Sequence, residues 1–81
     1  MGIYKLDQAE IDKAFEGTNF GNGFTNKERV YGGLLKAACE YYNGYTMHCI
    51  LKELGLINEK GDTTAKGRSL LYDYFKTKWE V

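Results

Sequence analysis

The chain has no proline, two cysteines, one histidine and one tryptophan, and its 11 Lys and Arg are matched by 11 Asp and Glu. Each scarcity excludes something. The absence of proline suits helices joined by glycine-based turns, for which ten glycines are present. Two cysteines, Cys39 and Cys49, are too few for a disulfide framework. No C-x-x-C spacing accompanies His48, so a structural zinc site has no clear ligand set, and two small buried or half-buried thiols are expected instead. Zero net charge removes the simplest argument for a nucleic-acid partner, because phosphate neutralisation usually draws on an excess of Lys and Arg. No apolar run approaches the roughly 20 residues that span a bilayer, and the N-terminal MGIYKLDQAEIDKAF has none suited to secretion. No membrane contact, a cytoplasmic location and free thiols are therefore expected. Gly2 is not a myristoylation signal, because position 6 is Leu6.

What is abundant is aromatic: seven Tyr and four Phe beside the single Trp in 81 residues. A chain of this length forms one domain and buries only about 60% of the surface that its unfolded form exposes. Large aromatic side chains suit such a small core, but not all of these can point inward.

Periodicity predicts four helices. Leu6 to Phe15 has an apolar stripe through Ile11, Ala14 and Phe15, with Asp7 and Glu10 as a capping pair. The segment GTNFGNGFT, Gly17 to Thr25, reads as a loop in which Asn22-Gly23 allows a tiny hairpin flanked by Phe20 and Phe24. It lacks the order of a phosphate-binding loop. Asn26 to Tyr42 reads as the longest helix, with Tyr31, Leu34, Leu35, Ala38 and Tyr42 as its core stripe. Gly32-Gly33 interrupts it and implies a kink or a close approach of another backbone. Thr46 then caps a short helix whose Met47, Ile50, Leu51 and Leu54 lie on one face. After Gly55, Leu56-Ile57 and Thr63-Thr64 could form a small hairpin around Asn58 to Asp62. The last helix buries Leu70, Leu71, Tyr74 and Phe75, with Trp79 continuing it.

The stretch ILKELGLINEKGDTTAKGRSLLYDYF resembles the second half of small winged helix-turn-helix domains. In these, an apolar "LGLI" ends the recognition helix and a "T-x-K-G-x-x-L" run opens the helix after the wing. The likeness covers roughly residues 26 to 76 and, in its size and its Tyr- and Gly-rich style, extends to phage and prophage proteins. The expected fold is mainly α and winged helix-turn-helix-like, with about four helices and one or two very short β-hairpins. The resemblance implies a DNA-binding regulator that reads duplex DNA. Tyr45, Thr46, His48 and Lys52 would be presented by the recognition helix, Lys60 by the wing, and Lys66 and Arg68 by the last helix. The departure from the family pattern is charge, since Glu53, Glu59 and Asp62 lie among these cations.

The alternative is a small viral protein that binds and inhibits a host protein complex. Phe20, Phe24, Tyr41, Tyr72 and Trp79 are its candidate interface, because exposed Tyr and Trp favour protein contacts. A homodimer through the first or last helix is expected on the DNA-binding reading. No enzyme signature is present: His48 and Cys49 point about 100° apart on a helix, and no carboxylates pair for acid–base work. An exposed surface histidine is the expected state of His48. No cofactor or small-molecule substrate is indicated.

Overall fold

The structure, a computed structural model, describes residues 4–18 and 23–79, without the side chains of residues 77–79. Four helices make up almost all of its regular structure: α1 (Gln8–Ala14), α2 (Asn26–Ala38), α3 (Tyr45–Glu53) and α4 (Ala65–Trp79). No helix among the described residues is long and apolar enough to cross a membrane. The expected hairpin at Asn22-Gly23, and Phe20 beside it, lie largely outside the described residues.

Helix α2 is the centre of the fold and touches each of the others. It starts at a reciprocal cap. Thr25 Oγ1 accepts the Glu28 N–H at 3.1 Å, and Glu28 Oε1 accepts the Thr25 N–H at 2.8 Å. Its buried face is Val30, Tyr31, Gly33, Leu34 and Ala37. This face is offset from the predicted stripe: Leu35 and Ala38 are exposed rather than buried. The offset arises because α3 packs at Gly33 and α4 at Tyr31, on two sides of Leu34, so the buried arc is centred on Leu34.

Helix α2 also ends four residues earlier than predicted. Glu40 adopts a left-handed conformation at φ 66°. The Glu40 N–H then reaches the Ala37 carbonyl at 3.0 Å and the Tyr41 N–H reaches that of Lys36 at 2.8 Å, which closes the helix. Tyr42, expected in the core, is consequently outside the helix and 72% exposed.

Helix α3 is capped by Gly44, not Thr46, and anchors through Ile50, Leu51 and the following Leu54, with Met47 partly buried. At its end the Gly55 N–H meets the Lys52 carbonyl at 3.0 Å, and the Leu56 N–H meets that of Leu51 at 2.9 Å. The turn beyond is tight. Asn58 Oδ1 accepts the Lys60 and Asp62 N–H groups at 2.9 and 3.0 Å, and the Gly61 N–H returns to the Asn58 carbonyl at 3.0 Å. The expected hairpin is reduced to one antiparallel bridge, Ile57 with Thr63, because α3 ends just before it and α4 begins just after it, leaving no chain for a ladder.

Thr64 joins this turn to α4. Its hydroxyl donates to the Gly55 carbonyl at 2.7 Å and accepts the Gly67 N–H at 3.0 Å, which caps the helix. Helix α4 runs antiparallel to α2. The Tyr31 and Tyr74 rings stack at 4.1 Å, and Gly67, two turns earlier in α4, lies beside Leu34, one turn later in α2. Ile11, Val30, Leu34, Leu51 and Leu56 are fully buried and tie all these elements into one core.

The two adjacent glycines of α2 differ in kind. A Cβ on Gly33 would lie 3.1 Å from Asn43 Oδ1 and Met47 Cε and 3.3 Å from Leu51 Cδ1, so its bareness serves the packing of α3. Among the described residues a Cβ on Gly32 would meet nothing within 4 Å. Gly32→Ala is therefore expected to stabilise the fold by about 0.5–1 kcal/mol through helix propensity. The thermal midpoint should rise by about 3–8 °C in a thermal denaturation.

Candidate interaction surface

Of the predicted DNA-contacting residues, His48 and Lys60 line one hollow, Lys66 lines another, and Tyr45, Thr46, Lys52 and Arg68 line neither. On α3, Tyr45, Thr46 and Lys52 are exposed. His48, expected on the open surface, is half-buried. The turn folds back on it, so that a Cβ on Gly61 would lie 3.8 Å from its Cε1 and Nδ1. The Tyr42 ring lies beside it, with centroids 6.4 Å apart. A hollow of about 210 Å³ there is lined by His48 and Lys60, but equally by Glu40 and Asp62. Lys66 lines a separate hollow where α1 meets the junction of α3 and α4, with Lys13, Glu10 and Glu53. Arg68 is turned to its own cap, donating from Nη1 to the Thr63 carbonyl at 2.8 Å. Each hollow thus carries at least as many carboxylates as lysines, and neither is a basic pocket.

The thiols are free. Cys39 is exposed rather than buried, because it caps α2 on its outer side, and Cys49 is half-buried. Interaction with the Cys49 side chain, one turn along α3, raises the Tyr45 phenol above its ordinary value. Burial raises the Tyr31 phenol, with smaller contributions from Tyr74 and Asp73. Among the described residues no three His, Cys, Asp or Glu side chains gather as metal ligands.

The aromatic residues are concentrated differently. Tyr41, Tyr42 and Tyr45 are 67%, 72% and 77% exposed within five residues, at the corner between α2 and α3. That corner is pinned. Asn43 Nδ2 donates to the Gly33 carbonyl at 2.9 Å, and the bareness of Gly33 lets α3 approach. Phe24 stands at the start of α2 with the Arg29 guanidinium 5.8 Å from its ring. Tyr72 projects from α4 with Lys76 Nζ at 5.9 Å. Of the five residues predicted for a protein interface, Phe24, Tyr41 and Tyr72 are exposed, at three separate places. Phe20 and the side chain of Trp79 lie outside the described residues. The sequence reading missed Tyr42, which it assigned to the core, and did not place Tyr45 in this set. The run Tyr-Tyr-Asn-Gly-Tyr was the available signal, since Asn-Gly favours a turn and a turn turns its neighbours outward. Comparison with known proteins finds no matching family model, no similar curated protein and no similar solved structure.

Proposed function

We propose that the chain is a protein-interaction module that grips a partner through the tyrosine corner between α2 and α3. The observation that carries this reading is the pinned corner with three tyrosines at least two-thirds exposed. Tyrosine offers a large amphipathic contact area for little lost side-chain freedom, and a rigid support lowers the cost of binding further. The local balance of charge in both hollows favours a protein over a polyphosphate. The order helix, helix, tight turn, helix supports a winged helix-turn-helix-like frame with a much reduced wing. A small phage or mobile-element protein acting on a host protein complex fits this combination.

Duplex DNA is the second reading, and the outward position of Tyr45, Thr46 and Lys52 on α3 favours it. One experiment separates the two. Tyr42→Ala with Tyr45→Ala should weaken capture of the partner from host lysate at least about thirtyfold, as loss of about 2 kcal/mol at a hot spot implies. Its melting temperature should stay at the wild-type value, and Tyr72→Ala should leave capture intact. Undiminished capture by the double variant would sink the protein reading. Duplex retardation that falls steeply with salt and disappears in Lys52→Glu would put DNA in its place.

A further inference from the structure

We infer that the outward face of α2 is a self-association surface, on which a second copy of this chain packs antiparallel about a two-fold axis at Gly32. This surface is distinct from the tyrosine corner and does not depend on it. Three observations converge on it. First, among the described residues nothing packs on Gly32. Gly33 and Gly67 each make room for neighbouring atoms, whereas a Cβ on Gly32 would meet nothing within 4 Å. A bare position in mid-helix weakens the helix, but it lets a second helix approach closely.

Second, the charges on this face complement themselves. Glu28 lies four residues before Gly32 and Lys36 four residues after it, on the same row and both exposed. In an antiparallel pair centred on Gly32, each Glu28 meets the Lys36 of the other copy. A parallel pair would set like charges against each other. The antiparallel arrangement is isologous, so the same patch serves both copies and association closes at two. Glu28 Oε1 is engaged by the Thr25 N–H, and the carboxylate retains acceptor capacity for the lysine.

Third, apolar surface flanks the charged row. Leu35, 42% exposed, stands next to Lys36 on this face. A groove of about 440 Å³ runs beside Gly32 and Gly33, walled by Phe24, Arg29 and Met47. Leu35 borders the row of Glu28, Gly32 and Lys36 on one side and the groove borders it on the other, so apolar surface lies along both edges of the contact.

Sedimentation equilibrium over a wide range of protein concentration tests this. A reversible monomer–dimer equilibrium is expected. Glu28→Lys or Lys36→Glu alone should raise the dissociation constant about tenfold, because two-fold symmetry counts every change twice. The double exchange, Glu28→Lys with Lys36→Glu, should restore association. Both single variants should melt below wild type, the first by losing its bond to Thr25 and the second by placing an anion near the helix C-terminus. The double variant is then the least stable of the four proteins and yet dimerises better than either single variant, which loss of folding cannot imitate. In a Cys39→Ser, Cys49→Ser background, Gly32→Cys should form a disulfide-linked dimer under mild oxidation, whereas a Lys60→Cys control should not. A protein that stays monomeric throughout overturns the inference. So does a double exchange that associates no better than the single variants, or equal cross-linking from position 60.

Discussion

Gly67→Ala is expected to lower stability by about 3 kcal/mol or more, and the melting temperature by about 15 °C or more. On helix propensity alone the same change would stabilise by about 1 kcal/mol, because Gly67 lies in the first turns of α4. Space decides the sign. A Cβ there would collide with the Leu56 carbonyl oxygen and lie 3.2 Å from Leu34 Cδ1. The carbonyl cannot retreat. It accepts the Thr64 N–H at 3.0 Å, and Leu56 itself is fully buried. Nor can α4 withdraw without breaking the Thr64 cap at Gly67 or unstacking Tyr74 from Tyr31. Thermal denaturation of Gly67→Ala beside Gly32→Ala makes the comparison within one protein. One glycine-to-alanine change should lower the midpoint and the other raise it. A Gly67→Ala midpoint at or above wild type would mean that α4 does not pack against the Leu56 backbone.

That contrast marks what a sequence can carry. The run Thr64-Ala65-Lys66-Gly67-Arg68-Ser69-Leu70 was visible as a pattern, and it does open a helix. The reasons lie in three dimensions. Thr64 caps the helix, Gly67 admits the Leu56 carbonyl, and Leu70 is buried. The anchoring face of α3 was legible because Met47, Ile50, Leu51 and Leu54 follow the helical period without interruption. The end of α2 was not. Its left-handed closing residue is Glu40 rather than glycine, so the composition placed the stop at Asn43-Gly44, four residues too late. That one shift of boundary carried Tyr42 from the expected core to the surface.

The surface was less legible than the fold, for a related reason. An excess of aromatics over what one helix face can bury shows that some are exposed, but not which ones. The half-buried state of His48 depends on Gly61, in a turn whose closure by Asn58 brings it back over α3. Exposure of that kind is a property of the turn and not of the residues next to His48. The dispersion of Lys60 and Lys66 into separate hollows has the same origin. Both follow α3 closely in sequence, but the turn directs one toward the end of α2 and the cap directs the other toward α1.

Leu51→Ala should cost about 3–4 kcal/mol, since a fully buried leucine loses its transfer energy and leaves a cavity. A domain of this size has about 4–12 kcal/mol in total, so the variant should melt about 15–25 °C below wild type. The loss should extend to the tyrosine corner. Leu51 rests against Gly33, and Gly33 in turn receives the Asn43 side chain that pins Tyr41, Tyr42 and Tyr45 in place. Releasing α3 therefore releases the corner. Partner capture by Leu51→Ala should fall with the folded fraction as temperature rises, and return on cooling. Tyr42→Ala with Tyr45→Ala should behave in the opposite way, with capture absent at every temperature and an unchanged melting curve. The pair of variants separates the scaffold from the surface it presents. If Leu51→Ala melts within a few degrees of wild type, Leu51 is not what holds α3 to α2. If the tyrosine variant melts early, those rings contribute to the fold and not to a partner.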